Sequence, residues 1–325
     1  MSKKPADFTS DQFSLRVLDE TLNGEVMAIR LHASDRFSTK RHLLERKTFA
    51  LFTRAMEGHL RKRPHLDFEH PKNHIRKIIY VPPALRAWAA YMPGGFATFH
   101  VHNPDRKKLR SGKKIDYITR NLFRHSSDAI GLRSRAYAMS WYLQGIYKDE
   151  AKLRWMSIAC GSGQPTFDAA RLFDGEKNFY LCDIDKNALA LADELAHEYG
   201  IAKSSVHLIE HDLKRPGVLE ALVVDAQPQI IEAMGLFEYL DEGEAVEMLR
   251  KIRETMPKDG SFVFSNMHAD HPQLQVHKRG LGWPGVLPRT SDQVKDLIEK
   301  AGFGPNQLTI LLPDDNVYAV YCIRA

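Results

Sequence analysis

Two glycines one residue apart follow an apolar run in the segment WMSIACGSGQPTF, which spans residues 155–167. Because glycine has no Cβ atom, Gly161 and Gly163 would let a ligand approach the backbone closely. The amides that open the next helix would favour a negatively charged group on that ligand. A tight turn with no ligand explains the same glycines. Thr166 stands where the dinucleotide fingerprint has its third glycine.

Acidic residues follow the next two predicted strands. Asp183 ends the segment NFYLCDI, 22 residues after Gly161, close to the spacing of an acid that holds ribose hydroxyls. A carboxylate suits this task because it can accept hydrogen bonds from both hydroxyls of a diol. Asp185 is the better cap for the following helix, so we assign the ribose contact to Asp183. Asp212, in LIEHDL, could accept a hydrogen bond from an adenine amino group; a loop carboxylate or helix cap is the alternative.

A third candidate region is EAMGLFEYL, residues 232–240. Met234 and Gly235 end a buried strand in this interpretation, so Phe237, Glu238 and Tyr239 would face the ligand cleft. A core role for the two aromatic residues explains the pattern about equally well.

The elements that must position these residues begin near Leu153. Strand-like and helix-like segments alternate from there, as in NFYLCDI followed by DKNALALADELAHEYG, and GSFVFSNM followed by SDQVKDLIEKAG. Such alternation requires crossover connections and predicts an α/β fold with a mostly parallel, Rossmann-like sheet. Ligands bind beyond the carboxyl ends of the strands of such a sheet. The final segment, LTILLPDDNVYAVYCIRA, predicts a terminal antiparallel hairpin.

The preceding region has a different pattern. Asn23-Gly24 predicts a hairpin turn between two short strands, and residues 38–63 predict a long amphipathic helix capped by Ser38 or Thr39. IRKIIYVPP and GGFATFHVHN are typical of strands, and a helix capped by Ser126 or Ser127 follows. We therefore divide the chain into a basic α+β region over residues 1–125, acting as a lid or acceptor-binding region, and a second domain over residues 126–325 that includes a leading helical segment.

The composition argues against a membrane-spanning or secreted protein. No apolar run approaches the roughly 20 residues of a membrane span, and the first residues lack the apolar region of a secretory signal. The three cysteines show no metal-like spacing, so we expect reduced thiols in a cytoplasmic protein. Residues 1–125 carry 25 Lys and Arg against 12 Asp and Glu, whereas residues 126–325 carry 21 against 29. The basic half could attract nucleic acid or an acidic small molecule, or simply pair with the acidic half.

The ordered set SIACGSG, LCDID, EHDL and AMGLFEYL, with the terminal hairpin, resembles the class I S-adenosylmethionine-dependent methyltransferases. The resemblance covers about half the chain, from Leu153 to the end. It implies that the glycine loop holds the methionine part of the cofactor, Asp183 the ribose and Asp212 the adenine amine. The full set of expected cofactor-binding residues is Ala159, Cys160, Gly161, Ser162, Gly163, Asp183, Ile184, Asp212, Leu213, Met234 and Gly235.

The chain departs from the family at two positions of the first motif. Ser157 stands where the family often has an acid, and Ala159 replaces the usual first glycine. The segment from Gly235 to Pro272 and the arginine segment IGLRSRA also resemble bacterial methyltransferases that esterify hydroxy fatty acids. This second resemblance indicates a type of acceptor only.

The acceptor is expected to be a small molecule, methylated at oxygen in a carboxylate or hydroxyl group. A hydroxyl acceptor benefits from a general base, whereas a carboxylate needs none. His268, just past the fifth strand of the domain, is the leading candidate, with Glu238 and Tyr239 beside it and His271, His100 and His102 as further possibilities. His100 and His102 would share one side of a strand, but no third metal ligand is evident, and we predict no metal.

Other chemistries are less consistent with the sequence. AMGLFEY lacks the Asn/Asp-Pro-Pro-aromatic pattern of adenine amino methylation. Cytosine C5 methylation requires a cysteine near that strand, but the nearest, Cys182, belongs to the second strand. Methylation of another RNA position by way of the basic region remains open. So does a non-catalytic binding protein built on this fold. A nicotinamide-dependent dehydrogenase is disfavoured by the missing third glycine and the terminal hairpin. Nothing in the sequence indicates an oligomeric state.

Overall fold

One continuous sheet of ten strands organises the chain. The computed structural model describes residues 7–325, so the first residues, on which part of the secretory-signal argument rests, lie outside the described part. The strands run in the order β1-β2-β3-β9-β10-β8-β7-β4-β5-β6. They are β1 (Phe8–Thr9), β2 (Phe13–Asn23), β3 (Val26–Asp35), β4 (Lys152–Ile158), β5 (Glu176–Asp183), β6 (Val206–Glu210), β7 (Ile230–Ala233), β8 (Ser261–Met267), β9 (Leu308–Pro313) and β10 (Tyr318–Arg324).

The α-helices lie between these strands. They are α1 (Lys40–Arg61), α2 (His74–Ile79), α3 (Pro83–Trp88), α4 (Gly95–His102), α5 (Tyr117–His125), α6 (Ser127–Tyr147), α7 (Gln164–Ala170), α8 (Lys186–Glu198), α9 (Val218–Ala226), α10 (Glu242–Thr255) and α11 (Ser291–Lys300). A short π-helix spans Val276–Gly280.

The predicted α/β fold is confirmed. Strands β4 to β8 pair in parallel, and β10 pairs antiparallel with both β8 and β9, as the terminal hairpin requires. The two faces of the sheet are buried separately: Trp155 packs with α6, α7 and α8, while its neighbour Met156 packs with α9, α10 and α11. This alternation follows from the two-residue period of a strand. Helix α9 was not predicted from the sequence.

The N-terminal hairpin is part of the same sheet. Strands β2 and β3 pair around the Asn23-Gly24 turn as predicted, and β3 pairs in parallel with β9 from Met27 opposite Thr309 to Leu31 opposite Pro313. The buried guanidinium of Arg133, on α6, bonds the Asp35 carboxylate at 2.8 Å where β3 ends. The hairpin therefore extends the sheet that carries β4 to β8.

The remaining helices form a cap at the carboxyl ends of the strands. A third apolar cluster joins α1 to α6 with Met267, the last residue of β8, and with Val276 of the π-helix. Helix α1 begins after Thr39 and α6 after Ser126, whose hydroxyl accepts a hydrogen bond from the Ala129 amide. The cap encloses the sheet edge where the predicted site residues lie.

Two predicted strands are wrong. IRKIIYVPP forms α2, capped by Asn73, because Ile75 and Ile79 share one helical face and bury together. GGFATFHVHN forms α4. His100 and His102 are two positions apart on a helix and do not face one side, so the predicted pair of strand histidines does not exist.

No helix within residues 7–325 is long and apolar enough to cross a membrane. Cys160, Cys182 and Cys322 are unpaired, as expected.

Candidate active site

The glycine loop after β4 is held in an unusual backbone conformation. Ala159, Gly161 and Gly163 all have positive φ angles, of 51°, 55° and 67°. A Cβ atom on Gly163 would lie 2.9 Å from the Phe167 ring. One on Gly95, the first residue of α4, would lie 2.8 Å from the Gly161 Cα atom. Close packing therefore favours glycine at both positions: Gly95 lies against the Gly161 backbone, and Gly163 lies against the Phe167 ring in a turn that also favours glycine.

Asp183 ties the end of β5 to this loop. Its Oδ2 accepts the Gly161 amide at 2.8 Å, and its Oδ1 accepts the Asp185 amide at 2.9 Å. A carboxylate has about four acceptor positions, so two remain for a ligand. Burial raises the pKa of Asp183, against the amide hydrogen bonds from Asp185 and Gly161, which lower it. Asp185 caps α8 through the Asn187 amide, as the sequence indicated.

A cavity of about 400 Å³ opens beside the loop and Asp183. The predicted residues that border it are Ala159, Cys160, Gly161, Ser162, Asp183, Ile184, Met234, Gly235, Glu238 and Tyr239. Its volume falls in the range of ordinary small-molecule sites. The cavity continues from the glycine loop into the helical cap, so the two predicted regions of the chain meet around one space.

Four predicted site residues do not border this cavity. Gly163 turns the chain into α7, and Leu213 is buried in the core of the sheet. Asp212 lies two residues beyond Glu210, the partner of Asp183 across β5 and β6, so it sits at the same sheet edge; its Oδ1 accepts the Lys214 amide. The structure does not bring these side chains into the cavity.

His268, the leading predicted base, is the fourth predicted site residue that does not border the cavity. Its Nδ1 accepts the Asp270 amide at 3.2 Å, and its ring lies outside the cavity. The backbone of His268 pairs with Val317 and Arg289 just past β8. Because His268 does not border the cavity, the geometry does not support the prediction that it is the base.

Glu232 is a cavity residue that the sequence reading did not single out. It is fully buried on β7, where its carboxylate accepts the Thr166 hydroxyl at 2.6 Å and the Met234 amide at 3.2 Å. Burial raises the pKa of Glu232, against hydrogen bonds from Ser157 and Thr166. The signal was a single glutamate in an otherwise apolar strand. Its position explains Ser157, which lies opposite Glu232 across β4 and β7.

Glu238 and Arg135 form a buried ion pair at the cavity wall. Arg135 Nη1 is 3.3 Å from Glu238 Oε1 and 3.1 Å from the Ser265 hydroxyl, and its guanidinium lies over the Tyr318 ring. Glu238 Oε2 finds no hydrogen-bond partner within the described part of the chain. Burial raises the pKa of Glu238, against the attraction of Arg135. The wall thus carries a buried acceptor oxygen that lacks a donor.

A second buried cluster borders the same cavity. Asp128, in the first turn of α6, accepts hydrogen bonds through one oxygen from His277 Nδ1 at 2.5 Å and from His271 Nε2 at 3.2 Å. Asp128 and His277 border the cavity, and His277 Nε2 has no partner among residues 7–325. No sequence motif connects these residues, which lie almost 150 positions apart.

The cap half of the cavity is lined by aromatic rings. Trp88 and Trp283 have ring centroids 6.0 Å apart, and the Trp283 indole donates to the Tyr239 hydroxyl at 2.7 Å. Tyr318 forms a further wall beneath Arg135. His102 also borders the cavity, where burial lowers its pKa to about 3, whereas His100 is buried elsewhere and its Nε2 accepts the Arg110 amide.

Comparison with known proteins agrees with this architecture. Residues 156–260, about a third of the chain, match a family model described as a methyltransferase domain. A possible exported protein from Bordetella parapertussis has a similar structure, with a TM-score of 0.60, 17% identity, and coverage of 85% of this chain and 96% of that one. Magnesium protoporphyrin IX methyltransferase from Synechocystis, solved with bound S-adenosylhomocysteine, has a TM-score of 0.51 and 12% identity. That match covers 74% of this chain and 98% of the other. No curated protein matches the sequence.

The sheet, the glycine loop and the family match define a class I S-adenosylmethionine-dependent methyltransferase domain. This domain makes the chain an S-adenosylmethionine-dependent methyltransferase, with S-adenosylmethionine as its cofactor. The dehydrogenase alternative is thereby set aside.

The residues at the glycine loop fit this cofactor. Ala159 to Ser162 supply backbone at the cavity wall, Asp183 keeps free acceptor positions for ribose hydroxyls, and Met234 and Gly235 form the opposite side. When bound, the cofactor supplies a methyl group already activated by a sulfonium. The protein then has to orient an acceptor, exclude water and, for a hydroxyl acceptor, receive a proton.

Proposed function

We propose that this protein transfers a methyl group to an oxygen atom of a small molecule held in the cavity between the glycine loop and the helical cap. The single observation that carries the proposal is that one cavity is bordered both by Asp183 and the glycine loop and by the aromatic residues of the cap. A mostly apolar cavity of this size suits a small ligand.

Residues 1–125 supply the acceptor-binding part in this proposal, and residues 126–325 the cofactor-binding part. Trp88 and Val101 from the first region border the same cavity as Leu132 and Tyr239 from the second. Glu238 and Tyr239 remain candidate polar contacts for the acceptor. We keep Asp212, which lies at the same sheet edge as Asp183, as the candidate contact for adenine, and Leu213 as a candidate cofactor-binding residue.

Ion pairs between the basic first region and the cofactor-binding part favour a small acceptor over RNA. Arg106 lies 2.6 Å from Glu198, and Arg110 makes two bonds to Glu194, at 2.7 and 3.0 Å. Both glutamates belong to α8 of the cofactor-binding part. These exposed pairs add little stability, but they show arginines of the basic half used within the molecule.

Localisation belongs to the proposal as well. We assign the protein to the cytoplasm on the unpaired state of its three cysteines. Detection of the native protein in the periplasmic or secreted fraction of its own cells would contradict this assignment.

The test is methyl transfer from radiolabelled S-adenosylmethionine to matched acceptors. The panel contains aromatic and aliphatic alcohols, the corresponding carboxylic acids, the corresponding amines, and a mixed RNA. We expect label in an alcohol or an acid and none in RNA. Label in RNA alone would favour the RNA-methyltransferase alternative, label in amines alone would contradict transfer to oxygen, and cofactor binding without transfer to any acceptor would favour the non-catalytic alternative.

The finer resemblance to enzymes that esterify hydroxy fatty acids stays a prediction. The same panel tests it if 3-hydroxy fatty acids are included. Label in their methyl esters is the expected result of that resemblance.

A further inference from the structure

We propose that His277 is the catalytic base for a hydroxyl group on an aromatic acceptor, and that Asp128 is a positioning residue that holds the His277 ring in the required tautomer. This inference rests on the proposed methyl transfer to oxygen and names the acceptor class for that site.

The tautomer of His277 follows from its hydrogen bonds. Nδ1 lies 2.5 Å from Asp128 Oδ1, and an ionised carboxylate only accepts hydrogen bonds. Nδ1 must therefore carry the proton, which leaves a lone pair on Nε2 of the neutral ring. That nitrogen has no partner among the described residues, although the side chain is only 3% exposed and borders the cavity. Because His277 borders the cavity, a hydroxyl group bound there can supply the missing hydrogen to this unpaired acceptor.

His271 keeps Asp128 ionised. The Gln273 amide donates to His271 Nδ1 at 2.9 Å, so the ring carries its proton on Nε2 and donates it to Asp128 Oδ1. Burial alone would raise the pKa of the Asp128 carboxyl, but His277 and His271 outweigh it and hold that pKa well below its ordinary value. Because both His271 nitrogens are engaged, His271 itself is not the base.

Charged and aromatic groups surround His277. Asp128 approaches from α6, and Glu238 and Arg135, which pair with each other, border the same cavity. Trp283 lies against the ring with centroids 5.7 Å apart. An imidazolium formed at His277 would keep its charge-assisted hydrogen bond to the Asp128 carboxylate.

The aromatic lining selects the acceptor. Trp88, Trp283 and Tyr318 line the cap half of the cavity, as do Leu132 and Leu281. Flat aromatic molecules stack favourably on such walls. A phenol presents an apolar ring to these residues and a hydrogen-bond donor to Nε2, so it satisfies the cavity and the unpaired nitrogen together.

The proton step balances within the protein and the acceptor. The acceptor O–H bond breaks, an N–H bond forms at His277 Nε2, and the electron pair stays on oxygen, where it becomes the nucleophile. The imidazolium then returns the proton to solvent. General bases of this kind contribute about 100-fold to 10,000-fold to rate.

The first test uses 4-nitrophenol, whose phenolate absorbs visible light and whose phenol does not. The full chain, saturated with S-adenosylhomocysteine, is titrated with this probe below the pKa of free 4-nitrophenol. We expect binding to raise the phenolate fraction about tenfold, a shift of about one pKa unit. His277→Gln and Asp128→Asn should lose this gain, whereas His197→Gln, at an exposed position on α8, should retain it. An equal gain in His277→Gln, or no binding of the probe, would overturn the proposal.

The second test needs no acceptor. Long-range ¹H–¹⁵N NMR of the imidazole rings reports which nitrogen of His277 carries the proton near neutral pH. We expect protonated Nδ1 and bare Nε2 in the wild-type chain. A proton on Nε2 would overturn the assignment. Asp128, His271 and His277 could also hold a metal ion, so binding of added Zn²⁺ that shifts the signals of all three residues together would overturn it as well. Transfer to carboxylic acids alone would leave the proposed function standing and refute the phenol assignment.

Discussion

Replacement of Asp183 by alanine tests two roles of this carboxylate, the stabilisation of the glycine loop and the contact with the cofactor ribose. The carboxylate accepts the amides of Gly161 and Asp185, so alanine leaves two partly buried N–H groups without acceptors. An unsatisfied buried donor costs about 1–3 kcal/mol; with partial access of water from the cavity, we expect a loss of about 2–3 kcal/mol in unfolding free energy. Loss of the ribose contact should weaken S-adenosylmethionine binding by more than tenfold, about 1.4 kcal/mol or more.

Both quantities can be measured on one preparation, by urea unfolding of the free chain and by calorimetric titration with S-adenosylmethionine. Asp241→Ala is a matched control, because Asp241 caps α10 through the Glu244 amide, away from the cavity. It should cost about 1 kcal/mol of stability and leave cofactor affinity unchanged. Unchanged affinity in a folded Asp183→Ala chain would refute the ribose assignment, and an equal loss of affinity in Asp241→Ala would show that lowered stability alone weakens binding.

Two further substitutions test the packing around the loop and the buried histidines. Gly95→Ala places a Cβ atom 2.8 Å from the Gly161 backbone, so we expect a loss of about 1–3 kcal/mol by urea unfolding and weaker cofactor binding, whereas Gly145→Ala, with open space around it, should be neutral or stabilising. Equal behaviour of the two variants would contradict the close approach of α4. Burial lowers the pKa of His100 to about 4, so between its unfolded pKa of about 6.5 and that value the unfolded chain binds more protons, and stability falls as pH falls through this window. His100→Gln should flatten this dependence by up to about 3 kcal/mol, His197→Gln should not, and identical pH profiles for wild type and His100→Gln would show that His100 is not held neutral.

The parts predicted correctly from the sequence are those set by local pattern. The Asn23-Gly24 turn, the alternation after Leu153 and the glycine loop each specify their backbone within a few residues, and the parallel sheet then brings Asp183 to the loop. The cofactor could be predicted from the sequence because the residues expected to bind it stand at the ends of successive strands.

The helices and residues on the acceptor side of the cavity could not be predicted from the sequence in the same way. Short apolar runs such as IRKIIY fit a strand or a helix equally well, and only burial of Ile75 and Ile79 against the cap decides between them. The pairing of Asp128 with His277 joins α6 to the π-helix through tertiary packing, and no local pattern marks it. His268, the leading candidate by position, does not border the cavity.

The parallel pairing of β3 with β9 has a consequence for how the chain is made. Residues 26–35 leave the ribosome long before their partner strand, residues 308–313. Until then the hairpin has an unpaired edge, which is a template for association with other chains. Synthesis arrested before β9 should therefore give an aggregation-prone product, and productive folding of the sheet has to wait until β9 has been synthesised.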